Sequence, residues 1–191
     1  MGKIVATEFV SLDGVMEDPG GAEDFAHGGW TFEIDRGQEG NQFKLDELVE
    51  AKAQLFGRRT YDGFAAAWPG RENDPAMGEF AKRINAMPKY VYSKTLQAPT
   101  WTNTTVLSGD FAEDIRRVKD EVDGVILVAG SATLVRGLID HALLDELRLM
   151  VFPVILGSGK RLFGSTRKMP LKLTEARTVG AGVEILIYEP A

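Results

Sequence analysis

The sequence predicts an α/β fold: a mainly parallel sheet with helices on both faces and an antiparallel hairpin at the C-terminal end. Three observations carry that expectation. Short runs rich in Val, Ile, Leu and aromatic residues alternate with stretches of helical periodicity, as parallel strands and their crossover helices require. The run Val125–Ile139, VILVAGSATLVRGLI, holds a whole strand–turn–helix unit. The last two apolar runs flank Gly180-Ala181-Gly182, a hairpin signal.

In chain order, Lys3–Val10 reads as the first strand, ending at Ser11-Leu12-Asp13-Gly14. A polar stretch from Glu17 to about Asn41, holding Gly20, Gly21, Gly28, Gly29, Gly37 and Gly40, reads as a lid or binding loop, or else as a disordered segment. Phe43–Ala53 has helical periodicity through Leu45, Leu48 and Val49. Gln54–Phe56 is a short strand that breaks at Gly57, and Thr60–Ala67 a helix stopped before Pro69. Pro75–Ala86 is a helix with proline in its first turn, a favoured place. Lys89–Tyr92 and Thr104–Leu107 are strands by their aromatic and β-branched content. Asp110 and Glu113 set a capping-box-like start for a helix reaching Val122.

Val125–Ala129 is a strand, Gly130-Ser131 a hinge, and the helix beyond carries Leu134, Val135, Leu138 and Ile139 on one face. Glu146–Ile155 reads as a long strand, and Lys172–Val179 with Val183–Tyr188 as the hairpin. No internal repeat, charge block or low-complexity linker divides residues 1–191, which read as one domain.

Composition narrows the function. At 191 residues, 44% hydrophobic and 26% charged, the chain fills one core. It has no cysteine, which excludes disulfides, thiolate metal sites and cysteine nucleophiles. His27 and His141 stand far apart without ligand spacing, so no metal is expected. A net charge of −6 argues against nucleic acid and anionic membranes as partners. Positive charge for a ligand must be local, at Arg58-Arg59 and Lys94. No run is long enough to span a bilayer, and MGKIVATEFV lacks the parts of a signal peptide, so a cytoplasmic location is expected.

Three strand ends carry residues that suit phosphate: Gly57-Arg58-Arg59-Thr60, Ser93-Lys94-Thr95 and Gly130-Ser131-Ala132-Thr133. In parallel α/β sheets ligands sit beyond the carboxyl ends of the strands, where helix N-termini offer free amides. Arginine matches phosphate with a planar fork and lysine with a mobile point charge. Each piece also has a plain structural reading: a solvated helix start for the arginines, an ordinary N-cap for Ser131. Neither GxGxxG nor GxxxxGK[ST] occurs, so the Rossmann fingerprint and the P-loop are absent. Ser93-Lys94 stands where a Rossmann site would hold an acidic ribose partner, which suits a 2′-phosphate and hence NADP rather than NAD.

In order along the chain, SLDG (11–14), LFGRRTYDGF (55–64), KYVYSKTL (89–96), VAGSATLVRGLI (128–139) and PVILGSGKRLF (153–163) resemble the dihydrofolate reductase-like superfamily. The nearer resemblance is to the branch typified by the C-terminal reductase domain of bifunctional riboflavin-biosynthesis enzymes. It implies a single-domain, three-layer dihydrofolate reductase-like sandwich and NADPH as cofactor. On that resemblance Gly57, Arg58, Arg59 and Thr60 contact the diphosphate and 2′-phosphate, and Ser93 and Lys94 flank the adenosine end. Gly130, Ser131, Ala132, Thr133 and Leu134 wrap the diphosphate, and Gly157, Ser158 and Gly159 close the site near nicotinamide and substrate. It further implies a homodimer, with Glu146–Ile155 contributing to the pairing. These 191 cysteine-free residues do not read as a zinc deaminase domain, so the pathway role of such enzymes is not expected to carry over.

For the reacting centre, Asp13 is the candidate catalytic residue, with a plain turn role as its equal rival. Trp30, Phe64 and Trp68 are candidates for an aromatic slot around a flat heterocycle, against a core reading. Asp35 is the candidate for the substrate-holding acid of dihydrofolate reductases, with Asp46, Glu47 and Glu50 competing; His27 is a minor candidate proton donor. The reading is an NADPH-dependent reductase of a small pterin- or aminopyrimidine-like substrate. The alternatives are a nucleotide- or drug-binding protein without turnover and a structural dimerisation domain.

Overall fold

A computed structural model describes residues 1–191. Strand β1 (Lys3–Ser11) is buried along most of its length. The chain then passes a loop with one 3-10 turn (Trp30–Phe32) into α1 (Gly37–Glu50), β2 (Ala51–Gly57), α2 (Arg58–Ala67), α3 (Gly78–Ala86), β3 (Lys89–Tyr92) and β4 (Thr104–Leu107). It returns through α4 (Phe111–Glu121), β5 (Val125–Val128), α5 (Ala132–Asp140) and β6 (Glu146–Phe152), and ends in β7 (Leu171–Val179) and β8 (Val183–Pro190). The eight strands form one sheet in the order β4-β3-β2-β5-β1-β6-β8-β7. Neighbours from β4 to β6 are parallel, while β8 runs antiparallel to both β6 and β7.

Side-chain alternation along β1 splits the core between two faces. Ile4, Ala6 and Val10 pack with Ile115 and Val118 of α4 and Leu134, Val135 and Leu138 of α5. Val5 packs on the other face with Leu48 of α1, Tyr61 of α2 and Ile84 of α3. Helices thus cover both faces of a mixed sheet, the three-layer arrangement that the sequence predicts. Leu138 is fully enclosed, so Leu138→Ala is expected to cost about 2–5 kcal/mol. The check is a lower urea midpoint at unchanged m-value.

Several boundaries differ from the sequence reading. Helix α1 starts at Gly37, not Phe43, so the glycine-rich loop is shorter than expected. Its first turn (GQEG) has poor intrinsic propensity and is held by packing, with Gly40 buried close to Met150. Residues 51–53, read as the end of that helix, open β2 with a buried–exposed–buried alternation. Alanine and lysine are weak strand formers, which hid it. Strand β6 stops at Phe152, before Pro153, which has no amide to donate to a ladder. Helix α2 takes in Arg58 and Arg59, and α3 begins at Gly78 after a turn in which Asp74 accepts from the Ala76 and Met77 amides. Strand β6 has both edges paired, to β1 and β8, so its backbone is not open for pairing with a second chain; the sheet edges are β4 and β7. No helix is long and apolar enough to cross a membrane.

Candidate functional site

The winding of the sheet changes direction at β1. The chain leaves it toward β2, β3 and β4, then returns to lay β5 and β6 on its two sides. In open α/β sheets the ligand crevice lies at such a point, beyond the carboxyl strand ends. Strands β3, β2 and β5 are parallel neighbours, so Ser93-Lys94, Gly57–Thr60 and Gly130–Thr133 emerge on one edge.

The two glycine turns touch. A Cβ on Gly57 would lie 2.5 Å from Ser131 Oγ, and one on Gly130 would lie 3.0 Å from Thr60 Oγ1. Gly130 also has φ +88°, a backbone region that suits glycine. Only residues without a side chain let these turns close up, and the result is that α2 and α5 start side by side. The Ser131 hydroxyl caps the Leu134 amide at 3.4 Å, whereas the amides of Ala132 and Thr133 find no acceptor within the protein. Two helix N-termini with free amides form a cradle for an anion.

Three cations stand on this edge of the sheet, each with a partner in the protein. Arg58 bonds the Asp62 carboxylate through Nε at 2.7 and 2.9 Å. Arg59 Nε lies 3.0 Å from Glu23 of the glycine-rich loop. Lys94 donates to the Ser108 and Gly109 carbonyls at 2.8 and 2.5 Å. Exposed ion pairs such as those of Arg58 and Arg59 contribute little stability. Buried Ser93 accepts from the Thr95 and Leu96 amides, which makes it the former of the turn that presents Lys94.

The opposite rim is built on Asp13. Its carboxylate accepts from the Ser11 hydroxyl at 2.7 Å and from the Leu156 and Gly157 amides at 3.1 and 3.0 Å. The Ser11 bond, with the two amides adding to it, holds the Asp13 pKa down at about 2. Asp13 is therefore ionised across the physiological range and ties the turn after β1 to the segment after β6. The Val15–Arg161 bridge, the Lys160 amide on Glu17 and the Arg136 guanidinium on the Arg161 and Leu162 carbonyls complete that tie. Gly157-Ser158-Gly159 belongs to this rim; a Cβ on Gly159 would meet Val15 at 2.7 Å and Phe25 at 2.8 Å.

The aromatic slot is not assembled from the three residues named for it. Trp30 is enclosed against Phe43 and Phe152, with its indole donating to the Glu17 carbonyl. Phe64 and Trp68 belong to a different cluster, on Phe56 and Phe80. Asp35 is exposed; its carboxylate accepts from the Gly37 amide and its carbonyl from Ala181, so it anchors the start of α1 to the final hairpin. His27 is exposed in the loop, edge-on to Phe25. Among the competing acids, Asp46 accepts from Gln42 on α1, while Glu50 pairs with Arg148 at 2.9 Å. Glu47 is enclosed, 2.6 Å from the Lys44 ammonium and 3.8 Å from Arg148. Neither of its oxygens has a well-aligned hydrogen bond, and the enclosed Gln54 amide has none either.

Sequence reasoning missed Glu8. It sits on the core-facing row of β1 with Ile4, Ala6 and Val10, and accepts from the Gly130 amide at 2.7 Å. The signal was an acid on a row whose other buried members, Ile4, Ala6 and Val10, are apolar.

Comparison with known proteins bears on this arrangement. The chain is similar to the uncharacterized protein YyaP of Bacillus subtilis (strain 168), 28% identical over 187 residues that cover 97% of this chain and 94% of that one. Its fold is similar to that of a diaminohydroxyphosphoribosylaminopyrimidine deaminase/5-amino-6-(5-phosphoribosylamino)uracil reductase from Thermotoga maritima, with a TM-score of 0.66 at 17% identity. That match covers 100% of this chain and 57% of the Thermotoga chain. It is also similar to dihydrofolate reductase from Enterococcus faecalis, solved with NADP(H), with a TM-score of 0.58 at 13% identity over 98% and 96% of the two chains. The family model of the RibD C-terminal domain matches residues 2–185, and the chain, with its dihydrofolate reductase-like fold, belongs to that family.

Proposed function

We propose that the protein is an NADPH-dependent reductase of a small heterocyclic substrate of pterin or aminopyrimidine type. One observation carries the reading: the Gly57 and Gly130 turns close on one another and set two helix N-termini together, with the Ala132 and Thr133 amides free, on the sheet edge that also carries Arg58, Arg59 and Lys94. A diphosphate fits the amides, and the fork of Arg58 suits the 2′-phosphate. The names of the Thermotoga and Enterococcus neighbours support the same chemistry, a reduction on a pyrimidine or pterin ring.

When bound, the dinucleotide supplies a hydride, and the protein's part is to orient both partners and keep the cleft dry. Gly57–Thr60 and Gly130–Leu134 hold the phosphates, and Ser93-Lys94 the adenosine end. The Asp13 rim, with Gly157–Gly159, closes the other side. Asp13 is a positioning residue here, because a carboxylate with three donors and a depressed pKa carries no proton at neutral pH. Asp13→Asn is expected to lower kcat about tenfold, since small misplacements of reacting groups have effects of that order. NADPH affinity should stay within about threefold, because the phosphate turns lie on other strands. Steady-state kinetics beside a binding titration reads both; unchanged kcat removes Asp13 from the mechanism.

The direct test is NADPH oxidation with dihydropterin and aminopyrimidine substrates, alongside fluorescence titration with NADPH. Saturable binding without turnover supports the nucleotide- or drug-binding alternative, and no saturable binding overturns both. Assembly as a homodimer is part of the proposal and is read from sedimentation.

A further inference from the structure

Glu8 is an enclosed acid whose side chain bonds the backbone of the Gly130 turn. It is 5% exposed, stands on the central strand, and reaches across to the amide of Gly130, 122 positions away in the chain. That amide lies in the turn between β5 and α5. The amides at the start of α5, on Ala132 and Thr133, find no acceptor within the protein.

Resting on the reading above, we propose that Glu8 is a positioning residue of the cleft: it fixes the Gly130 turn and so aims the α5 N-terminus at the diphosphate. Burial raises the Glu8 pKa to about 8, the Gly130 bond opposing this only in part. The charged groups that act on it are both on α1: Lys44, which favours its ionised form, and Glu47, which opposes it. At neutral pH the side chain is therefore an uncharged acid, which accepts from the amide without placing a negative charge under an anionic ligand. Ionisation above pH 8 introduces that charge and weakens the ligand's hold.

Two variants separate the bond from the charge. Glu8→Gln keeps the acceptor and is neutral at every pH; Glu8→Leu removes both. In the ligand-free protein, hydrogen exchange of the Gly130 amide should be unchanged in Glu8→Gln and faster by about tenfold or more in Glu8→Leu, the effect of losing one buried hydrogen bond. With NADPH, the wild-type Kd should rise about tenfold between pH 7 and 9.5, the cost of one nearby like charge. Glu8→Gln should hold the low-pH value throughout, and Glu8→Leu should bind about tenfold more weakly at pH 7. Thermal unfolding of each variant shows that it is folded. Unaltered Gly130 exchange in Glu8→Leu, or a pH slope that persists in Glu8→Gln, overturns the assignment. Failure of the wild type to saturate with NADPH overturns the proposed function instead, and the ligand-free exchange still decides whether Glu8 braces the turn.

Discussion

Arg58→Ala is expected to weaken NADPH binding by about 10- to 100-fold and NADH binding by less than about threefold. The range corresponds to one charge-assisted hydrogen-bond pair of about 1.5–3 kcal/mol, present only with the 2′-phosphate. Arg58 stands in the first turn of α2, where its own helix dipole disfavours it unless an anion is near. Asp62, one turn along, serves as that anion in the free protein. Both side chains are exposed, so exchanging Asp62 for a phosphate sacrifices little. The difference between NADPH and NADH should shrink with added salt, as surface electrostatics does. Titration calorimetry with both dinucleotides at low and high salt reads it. Equal losses for the two would move Arg58 onto the diphosphate they share.

The second large effect concerns stability against pH. Glu8 has a pKa of about 8 in the folded protein and an ordinary carboxyl pKa of 4.5 when unfolded. Below about 4.5 both states hold the proton, so the group costs nothing. Between 4.5 and 8 the unfolded chain releases it while the folded chain keeps it, and each step up in pH favours unfolding. Above 8 the loss is complete. Glu8→Gln removes this dependence. Relative to wild type, the variant should gain stability from pH 5 to pH 8.5, by at most about 5 kcal/mol. Urea unfolding at several pH values reads the difference, because the other titrating groups are common to both proteins. A gap that stays flat with pH means that Glu8 is ionised in the fold.

Much of the architecture was legible because its signals are local. The strand–turn–helix unit at Val125–Ile139 shows an apolar run, a glycine stop and a 3.6-residue stripe, and all three correspond to observed elements. The Asp110 cap was readable for the same reason, and its carboxylate accepts from the Glu113 amide at 3.0 Å. The start of α1 was not legible, because Gly37 and Gly40 carry little helical preference and pack closely on Gly180 and Met150, from elsewhere in the fold. The convergence of the Gly57 and Gly130 turns followed from parallel strand ends, although only the three-dimensional order β2-β5 brings them into contact. The substrate half resisted reading for a different reason. Aromatic residues such as Trp30 and Phe64 serve core packing as readily as ligand binding, and here they sit in separate clusters. Glu8 was overlooked because a single acid in a strand has no periodic signature; its meaning lies in a partner at the far end of the chain.

The central place of β1 has a consequence for how the chain reaches its native state. Its ladder partners are β5 and β6, at residues 125–128 and 146–152, so its nine residues have no strand to pair with until those segments exist. The earlier elements, β2, β3 and β4, pair among themselves over much shorter separations. Closing a loop of more than a hundred residues before any pairing energy returns makes such a step slow. During synthesis Lys3–Ser11 is made well before either of its partner strands, so its ladder groups wait unpaired. It is the segment on which a chaperone, or a self-association that competes with folding, would act.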